Sequence, residues 1–383
     1  MENRFDIIII GAGSTGVPLA YFLAKEGVKV LVIEKEKSPG QGSNKAAIGG
    51  IRATHSNPAK IVVGLKSIEI FKNWEMETGD NIEWYQGGYS FVTYRKSDEE
   101  TLKELVRYQK NYGLNIDFLN RNDLLEKIPA LNPYGLRGGT YSPEDGSASP
   151  LLAINSFYRH AVKHGTTFLF DAEVTGFTKN KHSIIEVKTT KGNFRGDIFI
   201  NAAGAYASQI ASMAELSIPV NPDSHEAGVT EPVKRFFDPM IVDIRPQEGS
   251  KNFYFYQHKT GQIIFCLTPY PSIWGFDVRE TSEFLPQVAR RMIEVVPKLV
   301  NIRVRRTWRG LYPMTPDGNP IVGFLEINNF LQLAGMCGQG FMLGPGLGFY
   351  LAKYLIGEKL DEVDLILREF NPGREFAKEE MLK

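Results

Sequence analysis

A chain of 383 residues with 43% apolar composition can form two or three domain-sized units, each burying a core of its own. Lysine plus arginine and aspartate plus glutamate each total 44, so the formal charge is zero and the sequence-independent attraction to phosphate that a nucleic-acid binder uses is missing. Two distant cysteines, Cys266 and Cys337, lie outside any CxxC or Cys/His spacing, which suggests neither a disulfide framework nor a structural zinc site and fits a cytoplasmic protein.

The N-terminus passes through Glu2, Asn3 and Arg4 directly into a strand pattern, leaving no room for an export signal. The longest apolar runs, residues 7–10 and 198–203, are strand length, against the roughly 20 residues that span a bilayer. Residues 5–10 form an uninterrupted apolar run, a glycine turn follows, residues 17–26 read as a helix closed by Gly27, and residues 28–33 read as a second buried strand. Continuous rather than alternating strands are what a parallel sheet covered on both faces produces. Residues 83–94 then alternate aromatic and polar around Gly87-Gly88, as antiparallel strands do, and residues 98–112 form an amphipathic helix with a capped start at Ser97-Asp98-Glu99-Glu100. A helix over 150–164 and strands over 167–170, 184–190 and 197–202 return to the opening style.

From 219 to 309 the pattern is again antiparallel, with strands over 226–232, 252–257 and 262–267 and a helix over 282–295. A strand over 330–334, a glycine-rich segment over 335–348 and a helix to about 356 close the pattern. The order predicts an α/β plus α+β protein, a Rossmann-type cofactor domain (1–84, 138–217, 318–383) interleaved with an antiparallel-sheet substrate domain (85–137, 218–317).

Gly11-x-Gly13-x-x-Gly16 follows a strand, opens a helix, and is answered 18 residues after its last glycine by Glu34 at the end of the next strand. Gly11 permits the tight turn, Gly13 lets backbone approach a pyrophosphate, Gly16 allows close helix–strand packing, and the helix N-terminus presents free N–H groups. Glu34 would accept the adenosine ribose hydroxyls. This unit does not separate FAD from NAD, but a nicotinamide enzyme of the usual kind would continue with alternating helices and strands. The antiparallel insertions favour a flavin, and so does Gly335-Met-Cys-Gly338-Gln-Gly340-Phe341-Met342-Leu-Gly344, where a second helix N-terminus could face an anionic part of the cofactor. Close helix packing by small residues is the plain alternative.

Together with that fingerprint, Asn201-Ala-Ala203-Gly204-Ala-Tyr206, Trp308-Arg-Gly310, Thr315-Pro-Asp-Gly-Asn-Pro-Ile-Val-Gly323 and residues 335–348 resemble the D-amino acid oxidase and sarcosine oxidase family of FAD enzymes. Within that family the chain is most similar to β-subunits of heteromeric sarcosine oxidases and dye-linked L-proline dehydrogenases. The resemblance implies that Ser14 and Thr15 join the glycine turn, that Glu34 and Lys35 lie by the ribose, and that Ser43, Asn44, Ala47, Gly49 and Gly50 run along the flavin. It implies that Val174, Ala203 and Gly204 line the adenosine and pyrophosphate, and that Gly310, Gly335, Gly338, Gly340, Phe341 and Met342 complete the cofactor site. Arg52 matches the arginine that binds the substrate carboxylate, a role its planar fork suits.

Three departures sharpen the implication. Met342 stands where sarcosine oxidases carry a second carboxylate-binding lysine. Residues 261–264, Gly-Gln-Ile-Ile, stand where related oxidases carry a lysine that promotes reaction with oxygen. Neither Leu311-Tyr312-Pro313 nor Tyr141-Ser142-Pro143, after Gly138-Gly139-Thr140, offers the cysteine or histidine that tethers flavin in relatives. Non-covalent FAD follows, with an FMN at a subunit interface as a further expectation.

Tyr254 and Tyr256 share one face of a strand by the period of two and are candidates to touch substrate or flavin, with sheet packing as the alternative. His225, at the start of a strand, and His55, three residues after Arg52, are candidates to orient or deprotonate the amine, against an ordinary surface role. The leading expectation is a catalytic β-subunit that oxidises a small secondary amine or amino acid, L-proline to 1-pyrroline-5-carboxylate above others, and passes electrons to a second subunit. An oxygen-using oxidase of sarcosine, glycine or a D-amino acid, a non-catalytic electron-transfer subunit and an NAD-linked enzyme are the alternatives.

Overall fold

Two eight-stranded sheets organise the chain, whose computed structural model describes residues 3–377 and 379–382. The first has the order Ile321–Phe324, Phe330–Ala334, Gly192–Asn201, Arg4–Ile10, Val30–Ile33, Thr167–Leu169, with Val174–Lys179 and Ile184–Thr189 added as an antiparallel meander on Gly192–Asn201. Its central pairings are parallel. The uninterrupted apolar run of the first strand has a simple cause: Ile7 and Ile9 join Val30 and Val32 in one core, while Ile8 and Ile10 join Leu31 and Ile33 in the core on the opposite face.

Helices Gly16–Lys25, Pro58–Thr78, Pro150–Lys163 and Gly340–Leu355 pack in the first of these cores. The longest of them, Pro58–Thr78, has no counterpart in the sequence reading. Both its sides are used, Gly64 facing the backbone of Arg52 and Ala53 and Ser67 Oγ accepting from Gly346 N at 2.9 Å, so no single apolar stripe marks it.

The second sheet has the order Val304–Met314, Asn221–Thr230, Ile263–Pro269, Ser250–Gln257, Met240–Asp243, Tyr89–Thr93, Gly138–Tyr141, Asp117–Asn120. It is antiparallel except where Met240–Asp243 runs parallel to Tyr89–Thr93. Phe253, Phe255 and Phe265 cover one face beneath helix Phe284–Val295. Tyr89, Phe91, Met240, Val242 and Tyr256 cover the other, where Ile48 from the cofactor side packs on them.

Three local expectations differ. No hairpin forms at Gly87-Gly88, since Tyr85 bridges Ser147 instead. The helix starts at Lys96 without a side-chain cap, Arg95 pairing with Asp98 at 2.7 Å. Gly138–Tyr141, placed with the cofactor segment by sequence, pairs with Tyr89–Thr93 and Asp117–Asn120 in the second sheet.

Candidate active site

The glycine turn sits where the first sheet's strand tips meet two helix N-termini. Gly11 has φ +110°, a conformation open to glycine, and a side chain there would meet Ala202 O at 2.5 Å and Ala203 Cα at 3.2 Å. The turn is thereby seated against the segment that carries Ala203 and Gly204. A Cβ on Gly16 would stand 2.0 Å from Gly11 O, whereas one on Gly13 would meet nothing within 4 Å. Gly16 serves packing, and Gly13 leaves open backbone. Glu34 Oε2 accepts from Ala12 N at 2.7 Å and Oε1 from Glu36 N at 2.9 Å, which fixes its carboxylate beside the turn. Lys35 Nζ lies 3.2 Å from the centre of the Tyr206 ring, and Val174 is buried at the head of its strand.

Helix Gly340–Leu355 enters the same place: a Cβ on Gly340 would lie 3.0 Å from Ser14 Oγ and one on Gly344 1.9 Å from Ser14 O. Neither this helix nor Gly16–Lys25 has a side-chain N-cap or an acidic residue in its first turn, and Thr15 caps nothing. Two positive helix ends therefore converge on Ser14. Beside them lies a small, mostly apolar cleft that Ser14, Asn44, Phe71, Phe157, Phe341 and Pro345 help to line. Asn44 Oδ1 and Gln339 Oε1 are buried without a protein partner, a costly state unless a ligand donates to them. Open backbone at Gly13 and paired helix ends, with their free N–H donors, fit a dinucleotide's anionic bridge, whereas the orphaned acceptors call for a donor group of the ligand.

The segment from Ser43 to Arg52 crosses from this groove to the inner face of the second sheet. Ser43 Oγ donates to Leu311 O at 2.7 Å, Ala47 N to Asn44 O at 3.1 Å, and Trp308 Nε1 to Ala46 O at 2.8 Å, while Gly310 leaves room for Ala46. Tyr256 OH donates to Ile48 O at 2.6 Å. Gly49 and Gly50 let the chain pass within reach of Tyr256, Tyr89 and Met240.

Arg52 follows, 6% exposed. Its Nη1 donates to Thr54 O and to His55 Nδ1 at 3.2 Å, and its Nη2 to Leu382 O at 2.6 Å, with the guanidinium over the Phe91 ring at 5.3 Å. Among the described residues no carboxylate lies within ion-pair distance of it. His55 is fully buried, and desolvation together with the Arg52 charge holds its imidazole well below the usual histidine range. It is a neutral acceptor behind Arg52. Asp145 stands nearby, accepting from Ala53 N and Thr54 Oγ1 at 3.1 Å, and burial pushes its carboxyl up to about 7 against those bonds and the Arg52 charge.

Tyr254 and Tyr256 do share the inner face. Tyr254 OH lies 2.6 Å from Tyr312 OH, and burial pushes both phenols well above their ordinary range, so both are neutral. The Tyr312 ring stacks on His225 at 3.8 Å and fills the space beside Gly338, where a Cβ would be 2.1 Å away. Gly335 similarly leaves room for Thr315. His225 lies in the middle of strand Asn221–Thr230, opposite Gly310, and is 5% exposed, which removes the surface alternative. Its Nε2 donates to Asp223 Oδ2 at 3.2 Å, while Nδ1 is buried without a partner. Asp223 also accepts from Ile273 N at 2.7 Å; burial opposes its ionisation, but these bonds and the imidazole hold its carboxyl below the usual range.

Met342 is half-buried against the cofactor-side core with Phe341, whose ring lies 5.2 Å from Phe71. Sequence reasoning missed Tyr312, Asp223 and Asp145. Tyr312 lies inside the Leu311-Tyr312-Pro313 stretch, whose sequence signal is only the absence of a thiol, and the two aspartates carry no spacing signal. Both cysteines are free and buried, and among the described residues no helix is long and apolar enough to cross a membrane and no acidic, histidine or cysteine group is arranged to hold a metal.

A family model described as FAD dependent oxidoreductase matches residues 6–354. Sarcosine oxidase subunit beta from Rhizobium meliloti (strain 1021) is 26% identical over 361 residues, covering 92% of this chain and 85% of that protein. The crystal structure of L-proline dehydrogenase from P. horikoshii is similar with a TM-score of 0.90 and 32% identity, over 97% of this chain and 98% of that one. That of glycine oxidase from Geobacillus kaustophilus shares the fold, with a TM-score of 0.86 at 22% identity, 98% of this chain and 100% of that one being covered.

Proposed function

The chain belongs to the family of FAD-dependent oxidoreductases, and from that premise we propose that it oxidises L-proline to 1-pyrroline-5-carboxylate as the catalytic, β-type subunit of a dehydrogenase complex. It is an FAD-dependent enzyme acting on the CH–NH group of an amino acid or secondary amine. The observation that carries the substrate reading is Arg52, a buried guanidinium without a carboxylate partner among the described residues. A cation desolvated this way is stabilised by an anion that arrives with the ligand. Neutral His55 leaves that attraction undiminished while fixing Nη1.

Non-covalent FAD would be held by the Gly11–Gly16 turn, Glu34, Asn44 and the two helix ends at Ser14, and when bound it supplies the acceptor for a hydride equivalent. The protein's task is orientation. Arg52 fixes the carboxylate, the neutral Tyr254–Tyr312 pair and the apolar face around Tyr89 and Met240 hold the ring, and His225 Nδ1 accepts the hydrogen of the substrate nitrogen. Asp223 keeps Nε2 protonated, which leaves Nδ1 as the acceptor. With Met342 in place of a second cation, the carboxylate depends on Arg52. A partner subunit takes the electrons, which the likeness to a protein named as a beta subunit supports; an FMN at the contact between the two would be the first stop of those electrons.

Anaerobic mixing of the purified yellow protein with L-proline, D-proline, sarcosine and glycine tests the reading. L-proline should bleach the flavin band fastest, without peroxide when air is admitted. Faster bleaching by sarcosine or glycine would replace proline as the substrate, stoichiometric peroxide would replace the dehydrogenase with the oxidase reading, and colour retained on the protein after acid precipitation would refute non-covalent binding.

A further inference from the structure

The Arg52 fork is engaged by the chain itself. Both Nη1 hydrogens are committed to Thr54 O and His55 Nδ1, so a bidentate grip on a carboxylate has to use Nη2, and Nη2 donates to Leu382 O. Leu382 comes from the far end of the sequence, and its side chain is 3% exposed among Tyr89, Phe91, Met240 and Tyr256, on the face assigned above to the substrate ring.

The segment is anchored by a built site. Glu380 Oε1 accepts from Ser56 N at 2.8 Å and Ser56 Oγ at 2.7 Å, and Oε2 accepts from Asn57 N at 3.3 Å and lies 3.5 Å from Lys60 Nζ. Both charged side chains are fully buried at the N-terminus of helix Pro58–Thr78, where an anion is favoured. Burial works against the Glu380 carboxylate, but Lys60 and the Ser56 donors hold it below its usual range. Three consecutive amides are satisfied: Glu380 N on Asp317 O at 2.8 Å, Met381 N on Ser56 Oγ at 2.9 Å, and Leu382 N on Glu380 Oε1 at 3.1 Å.

We propose that residues 380–382 are an internal occupant of the substrate's place, the Leu382 carbonyl standing at the carboxylate position and its isobutyl group in the room of the substrate's apolar body. This rests on Arg52 being the carboxylate clamp. The Arg52–Leu382 bond carries charge on the donor alone, whereas a substrate carboxylate brings a full opposite charge and a second parallel bond to the fork, so substrate displaces the segment. Displacement takes part of the binding energy, and the apparent affinity is lowered by the fraction of molecules in which the segment has already left. Without substrate, the occupant keeps water from a buried cation.

The test uses the FAD-loaded protein and L-tetrahydro-2-furoate, a proline analogue with no amine to oxidise, titrated by its perturbation of the flavin spectrum. Glu380→Gln and a chain ending at Ala377 should each bind it ~3–10-fold more tightly than the unaltered protein. In the unaltered protein, hydrogen exchange at the amides of Glu380, Met381 and Leu382 should speed up when the analogue saturates the site. Unchanged or weaker binding in the folded variants, or exchange at these amides that the analogue leaves alone or slows, overturns the proposal. If the shortened chain does not fold, Glu380→Gln and the exchange experiment decide. Arg52→Gln in the same series separates the two ideas: weakened binding there with no gain in Glu380→Gln removes the occupant alone, while unweakened binding removes the clamp and the occupant with it.

Discussion

The seam between helices Gly16–Lys25 and Gly340–Leu355 and the inner face of the second sheet meet at the candidate active site, and they are built on opposite terms. At the seam backbone touches backbone: a Cβ on Gly344 would stand 1.9 Å from Ser14 O, and one on Gly348 2.8 Å from Leu19 N. On the sheet face side chains do the contacting, through Tyr254 to Tyr312, Tyr256 to Ile48 O and Arg52 to backbone carbonyls. The first region tolerates one residue type at each contact. The second has room for other chemistry, which is where a specificity can change while the fold stays.

The largest effect is expected from Gly344→Val. The added carbons have nowhere to go but into the Ser14 turn, and overpacking of this kind costs ~1–3 kcal/mol even where neighbours can move; here the neighbour is the cofactor turn itself. The variant should purify without flavin and with a lowered melting temperature. Gly13→Ala sharpens the contrast, because a Cβ at Gly13 meets no protein atom within 4 Å. Its apoprotein should melt like the unaltered apoprotein and yet bind FAD weakly; retained FAD affinity would show that the open backbone at Gly13 is not where the pyrophosphate approaches.

On the other side, Arg52→Gln should leave FAD bound and lower kcat/KM for the amino acid ~10²–10³-fold, mostly through KM, since losing one partner of a desolvated charge pair costs roughly 2–5 kcal/mol. Arg52→Lys should recover only part, keeping the charge without the fork. A KM within a factor of about two of the unaltered enzyme in both variants would remove Arg52 from substrate binding.

The contrast also explains what was legible in the sequence. The glycine turn and Glu34 announce themselves because sterics leave no alternative at those spacings, and strand Arg4–Ile10 because burial on both faces leaves no polar position. Helix Pro58–Thr78 was unreadable for the converse reason: it is used on two sides, with Lys60 buried in it as a counter-ion, so neither periodicity nor polarity marks it. That Gly138–Tyr141 pairs in the second sheet was not legible, because four residues do not say which edge they will pair with. Arg52 could be named, but its bareness of carboxylates depends on what residues 145 and 380 do from far along the chain. Tyr312 and Asp223 act through partners on neighbouring strands, a relation of register rather than of spacing.

Asp145 offers a third, smaller test. Its carboxyl, ordinarily near 3.8, is pushed up to about 7 by burial. Between those values the folded protein keeps a proton that the unfolded chain has lost, so stability falls as pH rises through this window and is level above it. Asp145→Asn removes the slope. The difference in unfolding free energy between variant and unaltered protein should shift in the variant's favour by on the order of 2 kcal/mol from about pH 5 to about pH 8. A parallel pair of denaturation curves at the two pH values would mean that Arg52 and the Ala53 and Thr54 donors keep Asp145 ionised, and Arg52 would then not be bare of negative charge.

The smallest effect belongs to Asp223. It touches neither the groove nor Arg52, and it acts by holding His225 through Nε2 while its other oxygen takes the Ile273 amide. Asp223→Asn keeps the shape and the Ile273 bond but removes the acceptor's charge, so the imidazole is free to present a hydrogen rather than a lone pair at Nδ1. On the reading above this lowers kcat by up to ~10-fold, within the range for a positioned proton acceptor, and leaves KM nearly unchanged because Arg52 still holds the carboxylate. His225→Gln should lower kcat at least as far, and the double variant no further than His225→Gln alone, since Asp223 then has nothing left to orient. An additive loss in the double variant would mean that Asp223 works through the 270–278 loop instead, and the sheet face would owe its order to packing and not to a proton acceptor.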